Sequence, residues 1–164
     1  MSPGLLFLCT QNACRSQMAE GLARAVLPAG YTVASAGAAP TQLNPGAVRA
    51  MAELGIDISS QHAKFQGDLR AEDYACVVRL CDCGDGLMQL FPDARHEAWP
   101  VPDPADAPRS AAAQAFRHVR DELLERLETF LPQLGPDPQL DAHVRAAILG
   151  LRRASEMALG DSGP

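Results

Sequence analysis

The sequence lacks a long hydrophobic run, an excess of positive charge and any pair of cysteines at C-x-x-C spacing. Each absence excludes something. The first apolar run, Leu5–Leu8, is far too short for a signal peptide, and no run approaches membrane-spanning length, so a cytoplasmic chain with no membrane partner is expected. A net charge of −6 argues against an electrostatic nucleic-acid binder. His62, His96, His118 and His143 lie far apart with no ligand spacing, and the five cysteines form no C-x-x-C pair, so a zinc site is poorly supported. Internal repeats and low-complexity tracts are missing too. What remains is 164 residues with 47% apolar and 21% charged content, enough chain for one well-buried domain.

Five cysteines in a chain without an export signal point to a reducing compartment, where such residues are more often catalytic or metal-binding than disulfide staples. Their number is odd, so at least one thiol stays unpaired.

Strand and helix patterns alternate. Leu5–Leu8, Tyr31–Ser35, Tyr74–Leu80 and His96–Val101 read as strands. Ser16–Leu27 reads as a helix with Met18, Leu22 and Val26 on one face. Asn44-Pro45 starts a second helix, lined by Val48, Met51 and Ala52 and stopped by Gly55. Ser110–Leu131 is strongly amphipathic, with Phe116, Val119, Leu123, Leu127 and Phe130 inward. After Gly135-Pro136, a last helix carries Leu140, Val144, Ile148 and Leu151 on one stripe and Arg145, Arg152 and Arg153 outward. The expected fold is α/β, with a four-stranded parallel twisted sheet, helices on both faces and an extra C-terminal helix. Residues 1–134 would form the catalytic domain and residues 135–164 a helical extension packed on it.

The stretch "LCTQNACRSQMAEG" places Cys9 at the carboxyl end of the first strand, where open parallel sheets bind ligands. The backbone from Thr10 through Gln11, Asn12, Ala13 and Cys14 to Arg15 and Ser16 then turns into a helix N-terminus. Unpaired N–H groups and the helix dipole favour an anion there, and such a loop can wrap a tetrahedral oxyanion. Arg15 adds a planar, permanently charged fork. The same field favours the Cys9 thiolate, a nucleophile aimed at the bound anion. Asn12 and Ser16 are small polar groups suited to bonding the sulfur or holding the loop.

These residues resemble the phosphate-binding loop of the low-molecular-weight tyrosine phosphatase superfamily, and "RSQMAEG" is closest to its thioredoxin-coupled arsenate reductases. "SAGAAPTQLNPGAVRAMAELGIDIS", "VVRLCD" and "WPVPDPADA" extend the resemblance over roughly the first four-fifths of the chain. It implies arsenate reduction, with phosphate or sulfate as competing oxyanions. Asp103 in "VPDPAD" would match the family's general acid, with Asp106 a lesser alternative. Cys81 would match the resolving cysteine, attacking Cys9 to release arsenite and leave a Cys9–Cys81 disulfide. The family's third cysteine commonly lies seven residues beyond the second, where this chain has Met88. Cys83 is the candidate for that role, or a bystander if thioredoxin reduces Cys9–Cys81 directly. Gly84 and Gly86 beside it suggest a loop.

No bound cofactor is implied, only an external thiol reductant, thioredoxin. Cys14 resembles a structural cysteine of the family loop, and Cys76 and Trp99 read as core residues. Gln11 replaces a glycine often seen there, a strained substitution if the position requires positive φ. A potassium site of some relatives would use Asn12, Glu20 and Ser35. Lys64 stands where a further acidic ligand would be, so no metal is assigned. The alternatives are a phosphatase acting on phosphotyrosine or small phosphomonoesters, a reductase coupled to a low-molecular-weight thiol, and an oxyanion-responsive or zinc-binding regulator. A monomer or weak homodimer is expected.

Overall fold

The run Gly4–Cys9 is buried at every position, as the central strand of a doubly covered parallel sheet must be. In the computed structural model, which describes residues 4–82 and 86–160, this run is β1. With β2 (Thr32–Gly37), β3 (Cys76–Arg79) and β4 (Arg95–Ala98) it forms an all-parallel sheet in the order β2-β1-β3-β4. The helices are α1 (Arg15–Val26), α2 (Pro45–Ala52), α3 (Gly86–Leu90), α4 (Ala112–Phe130) and α5 (Gln139–Gly160).

Strand alternation divides β1 between two cores. Leu5, Phe7 and Cys9 face the larger one, shared with α1, α2, α4 and α5. Leu6 and Leu8 face a smaller one with Ala36, Tyr74, Val77 and Phe91. That second face is covered by Leu69 and Ala71, around the short 3-10 turn Ala71–Asp73, by Ala94, and by Phe91 directly after α3. Phe91 meets Tyr74 edge-on at 6.3 Å. The order in which strands are added reverses at β1, with β2 on one side and β3 on the other, so the crevice beyond its carboxyl end is the switch point of the sheet.

The expected fold is therefore observed, with differences that have physical causes. α1 is buried from Ser16 through Ala23, not on one face alone, because β1, β2, α2, α4 and α5 all pack against it. The inward line of α2 is Ala47, Ala50 and Met51; Val48 is half-buried and Ala52 is exposed. Small alanines here let α2 lie close to α1 and α4. Asn44 caps α2 by accepting a hydrogen bond from the Gly46 N–H at 2.8 Å, and Gly55 follows it with φ +76°, a conformation open to glycine. The strands β3 and β4 are shorter than their sequence runs, and the ladder continues as single bonds from Leu80 N–H to the Leu8 carbonyl and from Trp99 N–H to the Arg79 carbonyl, each 2.8 Å. The helix α3 was not legible in a segment that opens with glycine.

α5 seats Leu140, Val144 and Ile148 in the main core. Beside it lies a residue that the apolar stripe of α4 did not advertise: Arg120, 1% exposed. Its Nη1 donates to the Ala50 carbonyl at 2.8 Å and to Glu53 at 3.0 Å, and its Nε donates to Asp121 at 2.8 Å. Arg117 donates to both oxygens of Glu53 at 2.9 Å. Hydrogen bonds from Arg117 first, opposed by burial, and then from Arg120 lower the Glu53 carboxyl from its ordinary value. A depressed carboxylate stabilises the fold above its unfolded pKa, and that contribution is lost as pH falls through the folded value. Glu53→Gln should therefore cost about 1–3 kcal/mol near neutrality, with the gap to wild type closing in acid. Thermal or urea unfolding across pH checks this; a gap unchanged by pH would contradict it.

Candidate active site

Cys9 ends β1, and the chain from Thr10 to Cys14 turns sharply into α1. Thr10 and Gln11 are exposed, whereas Asn12, Ala13, Cys14 and Ser16 are buried. Three hydrogen bonds tie the carbonyls of this loop outward. Ala39 N–H donates to Thr10 at 2.9 Å, Thr41 N–H to Gln11 at 3.1 Å and Asn44 N–H to Ala13 at 3.0 Å. In a planar trans peptide the carbonyl and the next N–H point opposite ways. Anchoring these carbonyls therefore turns the N–H groups of Gln11, Asn12 and Cys14 to the other side of the loop. The first-turn N–H groups of α1 join them, having no intrahelical partner.

Within this loop the residue with positive φ is Asn12, at +50°; Gln11 is not in that region, so its replacement of glycine is unstrained there. Asn12 is fully buried, and its amide is saturated. Nδ2 donates to Ser16 Oγ at 2.7 Å and Ser35 Oγ at 3.0 Å, while Oδ1 accepts from Lys64 N–H at 2.9 Å and Gln17 Nε2 at 3.1 Å. Asn12 donates to the Ser16 hydroxyl, which lies 2.8 Å from Cys9 Sγ; either group can donate in that pair, and toward a thiolate the hydroxyl is the donor.

Arg15 is held by the segment that follows β4. Its Nη1 donates to the Val101 carbonyl at 3.2 Å, and its Nη2 lies 3.8 Å from Asp103 Oδ2. Asp103 in turn accepts from Ala105 N–H at 3.0 Å, with buried Pro104 starting the 3-10 turn Pro104–Asp106. Cys9, Arg15 and Asp103 thus meet on one sheet edge, while Asp106 is exposed. Burial first, then the neighbouring Asp103 and Cys9, push the Cys14 thiol up to about 12, against an opposing Arg15. It stays a neutral thiol at physiological pH. Burial likewise raises Cys76, within the sheet, to about 11.

Cys9, Cys14 and Cys76 carry free thiols, whereas Cys81 is disulfide-bonded. Cys81 is buried just after β3 and shares the Cys9 core cluster. Cys83, the expected third redox thiol, lies outside the described residues. Asn12, Glu20 and Ser35 converge, since Ser35 Oγ donates to Glu20 at 3.2 Å. The group does not fit a cation, however. Asn12 turns its donor side to Ser35, its oxygen is spent on two N–H donors, and the Lys64 ammonium lies 3.6 Å from Glu20. Among the described residues no cluster of three or more His, Cys, Asp or Glu could hold a metal ion.

A thiol under an anion-facing N–H loop, with an arginine and a facing aspartate, matches a known family over most of its length. The profile of the low molecular weight phosphotyrosine protein phosphatases covers residues 4–140. The chain belongs to this family.

Relatives 34–42% identical to this chain are named arsenate reductases. An arsenate reductase of Bacillus subtilis is 42% identical over 129 residues, 77% of this chain and 93% of that one. A glutaredoxin arsenate reductase of Synechocystis is 34% identical over 136 residues, 79% of this chain and 97% of that one. A solved arsenate reductase in its phosphate-binding state superposes with TM-score 0.72 and 34% identity, covering 81% of this chain and 99% of that one. The family match ends at the second residue of α5, so nearly all of that helix lies beyond it.

Sequence reading missed the contributions made by backbone: the Val101 carbonyl on Arg15, and the anchoring N–H groups of residues 39–44. It also missed Gly37. A Cβ there would lie 2.6 Å from the Thr10 carbonyl oxygen, 2.8 Å from that of Cys9 and 2.9 Å from the Asn12 nitrogen. All three are backbone, so the loop itself would have to move. Gly37→Ala should therefore cost about 1–3 kcal/mol by overpacking and slow alkylation of Cys9. An unchanged urea midpoint and alkylation rate would show that the loop is not held this tightly.

Proposed function

We propose that this protein reduces arsenate to arsenite, with Cys9 as nucleophile and Cys81 as resolving thiol, and that a thioredoxin-type dithiol regenerates it. The observation that carries the reading is Cys9 beneath an N–H-lined loop and Arg15, in the same core cluster as a second cysteine at the end of β3. A phosphatase needs one thiol, because water resolves its intermediate; a reductase must find two electrons, and two thiols supply them. Relatives named arsenate reductases support the choice.

The oxyanion sits against the N–H groups of residues 10–16, with the Arg15 fork on two oxygens. The Ser16 hydroxyl donates to the Cys9 thiolate. Cys9 sulfur attacks arsenic, a sulfur–arsenic bond forms, and one oxygen leaves as water with a proton from Asp103. The Cys81 thiolate then attacks Cys9 sulfur. A disulfide forms, the sulfur–arsenic bond breaks with its electron pair staying on arsenic, and arsenite departs. Arsenic has gained two electrons and the two thiols have lost them. Cys83 takes over the bond to Cys81, freeing Cys9 and presenting a disulfide to the external dithiol. The turnover requires a reducing compartment, the cytoplasm. Phosphate and sulfate compete for the cradle.

The single-thiol part of this machinery would also hydrolyse aryl phosphates weakly, since Cys9, Arg15 and Asp103 suffice for that chemistry. The test mixes fully reduced protein with arsenate, assays arsenite and maps disulfides by peptide mass spectrometry. Arsenite with a disulfide at Cys81 is expected; Cys81→Ser should abolish turnover with thioredoxin yet retain aryl phosphate hydrolysis, and Cys9→Ser should lose both. Free thiols and no arsenite, with phosphatase activity intact, would make the protein a phosphatase. Turnover by Cys81→Ser with a small thiol would instead identify a one-cysteine reductase.

A further inference from the structure

The segment Gln61–Lys64 lies behind the anion loop and meets it in two ways, through the Lys64 N–H on Asn12 Oδ1 and through the side chain of Gln17. That residue is fully buried and sits in the first turn of α1. Its Nε2 donates to the Asn12 carbonyl at 3.0 Å, to Asn12 Oδ1 at 3.1 Å and to the His62 carbonyl at 2.9 Å. Gln61, half-buried, closes the clasp: its Nε2 donates to Gln17 Oε1 at 2.8 Å and to the Gln17 carbonyl at 3.0 Å. Both amide orientations are fixed, because backbone carbonyls only accept.

We propose that Gln17 and Gln61 are positioning residues for the oxyanion, acting by locking the left-handed backbone of Asn12. The inference rests on the reading of residues 10–16 as the oxyanion cradle. The Asn12 carbonyl is the one loop carbonyl that the 39–44 segment does not hold among Thr10, Gln11, Asn12 and Ala13. Gln17 holds it instead. By peptide planarity, that bond sets the direction of the Ala13 N–H, one of the expected donors to the anion. It also restrains a non-glycine residue at φ +50°, a region that disfavours side chains. Gln61 acts one step further back, holding Gln17 in the only orientation that puts a donor on Asn12. Neither glutamine needs to touch the anion.

A merely structural amide cluster would lower thermal stability and leave anion affinity alone, so both are measured on the reduced full-length protein. Gln17→Met keeps the length of the side chain and removes the amide. It should weaken binding of inorganic phosphate, followed by calorimetry, about five- to tenfold. The apparent KM for arsenate should rise with it, while kcat falls less. Gln61→Met, at a half-buried site, should weaken phosphate binding about threefold. The double variant should bind no more weakly than Gln17→Met, since Gln61 acts through Gln17. Wild-type phosphate affinity in Gln17→Met overturns the proposal, whatever its thermal midpoint. Should Gln17→Met not fold, wild-type affinity in Gln61→Met overturns it equally. If wild-type protein itself fails to bind phosphate, the cradle reading falls and this inference falls with it; if wild type binds and the variants bind alike, only this inference fails.

Discussion

Everything at this site depends on where the loop after β1 sends its carbonyls. A tetrahedral anion can be held by main-chain N–H groups only if their partner carbonyls point away from it, and each such carbonyl needs a donor of its own. Residues 39, 41 and 44 supply three of those donors through backbone N–H groups, and Gln17 supplies the fourth. The loop is thus shaped from outside, by two segments that follow β2 and α2, before any ligand arrives. Preorganised N–H donors of this kind lose little on binding, because the protein has already met the cost of aligning them.

The same constraint explains why so much polar chemistry is buried next to an apolar core. Asn12, Ser16, Gln17, Glu20 and Ser35 are all within 1% of full burial, yet each has partners. A buried amide with a missing partner would cost more than the bond itself contributes. The network therefore tolerates one arrangement. That arrangement pairs the Ser16 hydroxyl with Cys9 and gives the Glu20 carboxylate to Ser35, Lys64 and Arg24. A cation at this point would have to displace the Lys64 ammonium and reverse the Asn12 amide.

The fold was largely legible in the sequence because its determinants are local. An unbroken apolar run gives β1, Asn44-Pro45 gives the start of α2, and the spacing of Phe116, Val119, Leu123 and Leu127 gives α4. The nucleophile, the arginine and the facing aspartate were legible for a different reason: their residue types and order carry the chemistry. What escaped was non-local or carried by backbone. No pattern near Arg120 says that it will be buried against Ala50 and Glu53, 70 and 67 positions away. Nothing in "SSQHAK" says that Gln61 will clasp Gln17, 44 positions away. The positive φ was expected, if anywhere, at Gln11 and occurs at Asn12, whose short amide can bond the surrounding groups while its backbone turns.

The most direct measurement is a phosphate titration of fully reduced, nitrogen-15-labelled protein, followed through backbone amide shifts and the Arg15 side-chain N–H. If the loop is the oxyanion cradle, the largest shifts fall on Gln11, Asn12, Ala13, Cys14 and Arg15, with the rest of the sheet nearly still. Shifts centred elsewhere, for example on the cleft lined by Arg95, Trp99 and Arg126, or no shifts at all, would contradict it.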